Sequence, residues 1–69
     1  MISKQYFNSL SFSEKRTVAI NWWNSLNTFE KQVMSRWVGE DFQVAGLTGA
    51  GNQKVLEKVM NKKEEFKTN

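Results

Sequence analysis

The chain says one phrase twice. Asn8-Ser9-Leu10-Ser11-x-x-Glu14-Lys15 returns sixteen residues later as Asn24-Ser25-Leu26-Asn27-x-x-Glu30-Lys31. Each copy is a helix start: a polar N-cap, a glutamate three positions on, then an apolar run. A side chain that accepts a first-turn N–H stops one helix from running into the next. The repeat therefore predicts short helices joined by tight turns. It constrains architecture far more than chemistry.

Helical periodicity extends this reading along the chain. Ser3 to Ser9 reads as a helical turn presenting Tyr6 and Phe7. Ser11 caps a helix to about Ser25, whose Val18, Ala19, Trp22, Trp23 and Leu26 share one stripe with Phe12 at its head and Ile20 widening it. Asn27 caps a third helix with Phe29, Val33, Met34, Trp37 and Val38 as its apolar positions, and Gly39 suits its left-handed C-cap. The short Ser25-Leu26-Asn27 turn implies that the two helices pack as neighbours. All four glycines lie between 39 and 51 and there is no proline. Residues 39–51 thus read as a glycine-containing connection, with one helical turn over Asp41–Ala45 and a flexible stretch over Leu47–Asn52. That stretch holds a worn third copy of the start signal, Leu47-Thr48. A last helix from about Asn52 to Phe66 turns Val55, Leu56, Val59, Met60 and Phe66 inward. It pairs Lys54 with Glu57 and Lys62 with Glu65, and residues 67–69 form a frayed tail. The expectation is one all-α domain over 1–69, a bundle of three to four short helices built on the 16-residue hairpin repeat.

Composition narrows the chemistry. Sixty-nine residues bury only about 60 % of their unfolded surface, so such a fold is marginal without a staple. Cysteine and histidine are both absent, which removes disulfides, thiolate or imidazole metal sites, and the commonest general base. Ser–His and Cys–His nucleophile pairs are impossible. Glu40 and Asp41 are adjacent and diverge on any regular element, and Glu14 and Glu30 are committed to caps. Gly46-x-x-Gly49-x-Gly51-x-x-Lys54 has neither the spacing nor the preceding strand of a phosphate loop. No enzyme, metal or cofactor is expected. No segment reads as a signal peptide or a membrane span, so a cytoplasmic protein with no membrane partner is expected.

What remains is surface chemistry. Three tryptophans, five phenylalanines and a tyrosine are a heavy aromatic load for so thin a bundle, and some of these rings are expected to face outward. Aromatic anchors beside arginine are common binding hot spots, which makes Trp23, Trp37, Arg16 and Arg36 the candidate partner-binding residues. Net charge is +3. Lys15, Arg16, Lys31, Arg36, Lys54, Lys58 and Lys62 form the alternative set, for RNA or DNA backbone. A helix-turn-helix reading would make the third helix the reader, with Thr28, Lys31, Gln32, Ser35 and Arg36 outward. A further reading makes the apolar arc around Ile20 and Trp23 a homodimer seam.

The doubled Asn-Ser-Leu-[Ser/Asn]-x-x-Glu-Lys phrase, followed by tryptophan, resembles short helical proteins encoded by phages and mobile elements. In size, charge and lack of cysteine the chain is similar to small phage-encoded inhibitors of host defence, including anti-CRISPR proteins. The resemblance covers residues 8–38 and carries over no functional residue. It implies a stoichiometric inhibitor or adaptor in the host cytoplasm, occupying a larger protein or ribonucleoprotein such as a CRISPR effector nuclease or its guide RNA.

Overall fold

Five side-chain caps divide the chain into five helices. The computed structural model describes the backbone of residues 3–67 and the side chains of residues 3–63. In order these are α1 (Lys4–Asn8), α2 (Phe12–Ser25), α3 (Thr28–Trp37), α4 (Phe42–Ala45) and α5 (Gly49–Lys67), with no strand among the described residues. The all-α bundle expected from the sequence is the observed fold; α1 and α4, one turn each, raise the helix number to five. Ser11 and Asn27 form full capping boxes. Ser11 Oγ accepts from Glu14 N at 3.3 Å and Asn27 Oδ1 from Glu30 N at 2.8 Å, while each glutamate Oε1 accepts from its cap's N–H at 3.1 and 3.0 Å. Ser3 and Asp41 cap α1 and α4 in the simpler way.

The repeat reaches further upstream than its polar phrase. Tyr6-Phe7 and Trp22-Trp23 precede the two copies at matching positions. In each, the serine hydroxyl donates back to the first aromatic's carbonyl at 2.6 Å, from Ser9 to Tyr6 and from Ser25 to Trp22. The second aromatic, Phe7 or Trp23, is buried. The lysine closing each copy stands over that ring, Lys15 Nζ 5.8 Å from the Phe7 centroid and Lys31 Nζ 5.7 Å from that of Trp23. One unit thus fixes a helix end, a turn, the next helix start and a cation over a core ring.

The third copy is real and altered. Thr48 Oγ1 accepts from Gly51 N at 3.0 Å, so α5 starts three residues before Asn52. Where the first two copies carry glutamate, this one carries Gly51. A Cβ there would lie 2.7 Å from the Ala45 carbonyl oxygen, and Asn52, buried, donates its Nδ2 to that same oxygen at 2.7 Å. Backbone crossing leaves no room for a capping side chain. Leu47–Asn52 is therefore a tight crossing of α4 over α5, not the flexible connection expected. Gly39 does take the left-handed turn, at φ +76. Its N–H donates to Arg36 O and that of Glu40 to Ser35 O, closing the Schellman pattern that satisfies the last carbonyls of α3.

α5 is the spine. Val55, Leu56 and Val59 are fully buried and Met60 nearly so. Val55 and Val59 face Trp23, Val38 and Ala45; Leu56 and Met60 face Phe7 and Ala19; Trp22 packs against both groups. α2 lies chiefly on α5, while α3 leans on α4 and α5. The expected hairpin core is thus replaced by two helices joined through a third. Extended backbone at Leu26 and Asn27 (ψ 145 and 173) sends α3 away from α2. Phe66 and Glu65, the expected partner of Lys62, have side chains outside the described residues. Of the expected frayed tail, α5 runs to Lys67, and 68–69 lie outside them too.

Candidate functional site: the outer face of α3

The apolar residues of α3 spread over about half the helix circumference, from Phe29 round to Val38, at 100° per residue. No single neighbour can cover so wide an arc. Met34 packs toward the core and Val38 is in it, with Ser35 buried beside them. Phe29 is left 72 % exposed and Val33 46 % exposed. Together with Gln32, Arg36 and Trp37 they line a shallow concavity of about 370 Å³ on one helix face. The spacing 29, 32, 33, 36, 37 is one stripe of two turns, about 12 Å long at 1.5 Å per residue.

Its charged surroundings are one-sided. Arg36 is exposed on the stripe. Lys62 reaches from α5 over the far edge, its Nζ 5.9 Å from the Trp37 centroid. The acid nearest in sequence, Glu30, is held by its own N-cap. Glu40, just past the end of α3, is taken by α5: Lys58 Nζ donates to its Oε1, and Lys54 Nζ lies 3.5 Å from the same oxygen. Lys58, with help from Lys54, holds the Glu40 carboxyl below the usual carboxylate range. Glu14 is lowered likewise, by the Ser11 backbone N–H and hydroxyl.

The structure divides the candidate partner-binding residues. Arg36 and Trp37 share the α3 stripe, Trp37 half-buried. Trp23 is only 4 % exposed and belongs to the core, so its assignment as a surface anchor is corrected: Val55 and Val59 need a large apolar neighbour there. Arg16 lies on α2, its guanidinium 5.1 Å from the exposed Phe12 ring and its stem against Gly49, where a Cβ would come within 2.6 Å of Cδ. Of the Ile20–Trp23 arc, Trp23 lies in the core and Ile20 is half-buried against α5 at Gly49. The helix-turn-helix face fails at Ser35, which is 1 % exposed. The nucleic-acid set is dispersed: Lys15, Lys31 and Lys62 stand over rings, Arg16 over Phe12, and Lys54 and Lys58 share Glu40. Lys54 was expected to pair with Glu57, whose carboxylate accepts instead from Gln53 Nε2 at 3.1 Å.

Sequence reasoning placed Phe29 and Val33 in the core stripe and so missed both as site residues. The width of the arc was the available signal. Among the described residues no group of acids gathers as a metal site would, and no helix is long and apolar enough to cross a membrane. No protein family, curated protein or solved structure matches this chain.

Proposed function

We propose that this protein is a non-enzymatic binding module that acts stoichiometrically, by contact, through the outer face of α3. The observation that carries this reading is the exposure of Phe29 and Val33 side by side with Arg36. Burying a phenylalanine is worth about 1.5–3 kcal/mol, which matters in a domain this small. Scattered apolar side chains on a surface are ordinary, whereas a contiguous stripe is the usual sign of a binding face. Aromatic and arginine side chains are the residue types that dominate interface energetics. The resemblance to phage-encoded inhibitors suggests one setting, an inhibitor or adaptor of a larger protein or ribonucleoprotein.

A photo-crosslinking residue at Gln32, on the edge of the stripe, tests this in native cells against the same residue at Asn21 on the exposed side of α2. A discrete protein adduct from Gln32 alone, unchanged by nuclease, is expected. Equal adducts from both positions, none from Gln32, or an adduct that nuclease removes would refute it.

A further inference from the structure

We infer that the occupant of the α3 face is an amphipathic helix of a partner protein whose flanks are acidic; this rests on the contact reading above. A stripe two turns long, apolar along its middle and nearly straight, matches the face of another helix better than a loop or a flat sheet. Phe29 and Val33 supply the apolar centre, spaced four residues apart as one ridge. The choice among helices comes from charge. Arg36 stands on the stripe and Lys62 over its Trp37 edge, whereas Glu30 is committed to Asn27 N–H and Glu40 to two lysines. Among the described residues, a partner packed there meets cations on both sides, while the two neighbouring carboxylates, Glu30 and Glu40, already accept hydrogen bonds. Asp or Glu flanking its apolar residues would pair with Arg36 in bidentate geometry and with Lys62 as a point charge.

The same charges disfavour the other occupants. A second copy would bring its own Arg36 and Lys62 to a face already cationic, where the nearest described carboxylates, Glu30 and Glu40, already accept hydrogen bonds. Nucleic acid would meet one exposed arginine on an apolar stripe instead of a cationic track, because Lys54 and Lys58 face Glu40 and Lys31 stands over Trp23.

The test is selection of a phage-displayed library of helical peptides on the full chain. The expected winners carry apolar residues at i, i+3 or i+4, and i+7, with Asp or Glu beside them. A synthetic winner should lose about ten-fold or more in affinity with Phe29→Ser and with Arg36→Glu, both variants keeping wild-type helicity and unfolding midpoint. A charge-swapped peptide with Lys for Glu should recover binding to Arg36→Glu. Binding should also weaken with added salt, since exposed charges are screened. Winners that are basic or uncharged, no enrichment, or indifference to Arg36→Glu would overturn the proposal. So would tighter binding of a 20-nucleotide single-stranded RNA, or concentration-dependent dimers in sedimentation that Phe29→Ser abolishes. If Gln32 still captures a protein in cells while the selection yields no acidic helix, the partner class is wrong and the contact reading stands. If Gln32 captures nothing, both fall.

Discussion

Gly51 should be the least replaceable of the four glycines. The Cβ of Gly51→Ala would lie 2.7 Å from Ala45 O and 3.1 Å from both Ala45 C and Val44 O. All three are backbone atoms, which cannot swing aside as a side chain does. Relief requires α4 to lift from α5. That stretches the buried Asn52 Nδ2–Ala45 O bond, now 2.7 Å. Overpacking of this kind costs about 1–3 kcal/mol, and losing a buried hydrogen bond costs a similar amount. The gain in helix propensity from Gly to Ala returns at most about 1 kcal/mol. A net loss of about 1–5 kcal/mol follows. Gly49→Ala is the internal control. Its Cβ would meet Arg16 Cδ at 2.6 Å and Ile20 Cδ1 at 2.9 Å, both far along flexible side chains that can move. It should fall within about 1 kcal/mol of wild type. Thermal unfolding followed by circular dichroism resolves the difference, since 1 kcal/mol moves the midpoint by about 4–8 °C in a domain of this size. Gly51→Ala at or above wild-type stability, or Gly49→Ala the worse of the two, would refute the crossing described here.

The caps give a second comparison: Ser11→Ala, Asn27→Ala and Thr48→Ala should each cost about 0.5–2 kcal/mol in urea unfolding, because each strands a first-turn N–H. Trp23→Ala should cost about 3–5 kcal/mol and leave the protein largely unfolded, whereas Phe29→Ala, on an open face, should stay within about 0.5 kcal/mol of wild type by the same assay. Glu40 has its carboxyl lowered in the folded state by Lys58 and Lys54, so its contribution is present above the ordinary carboxylate range and is lost as pH falls through the lowered value. Glu40→Gln should flatten that part of the stability-versus-pH curve while leaving the neutral-to-alkaline part parallel to wild type.

Local signals were the legible part of this fold. The two capping boxes, the Gly39 turn and the helical turn after Asp41 could be read directly, because each rests on neighbours within five residues. Even the faint Leu47-Thr48 signal proved to be a cap. Packing was less legible. Periodicity gives the direction of an apolar stripe but not which helix covers it, and so α5, not the α2–α3 hairpin, turned out to be the spine. Gly49 and Gly51 read as flexibility because a glycine's empty space shows only when its neighbours are known. The same gap explains the site. Phe29 and Val33 belong to an apolar arc that also holds Met34 and Val38, and nothing in α3 alone says which half faces water. Trp23 was misplaced for the converse reason: its buried neighbours, Val55 and Val59, lie more than thirty residues away in the chain.

The central claim is that the outer stripe of α3 serves a partner and not the fold, and Phe29→Ser/Val33→Ser tests it most directly when unfolding midpoint and Gln32 crosslinking are read on one sample. The account predicts a midpoint within about 8 °C of wild type, two exposed substitutions at about 0.5 kcal/mol each, together with loss of the Gln32 adduct. Collapse of the fold would make the stripe part of the core, and a fully retained adduct would place the contact elsewhere; either result contradicts it.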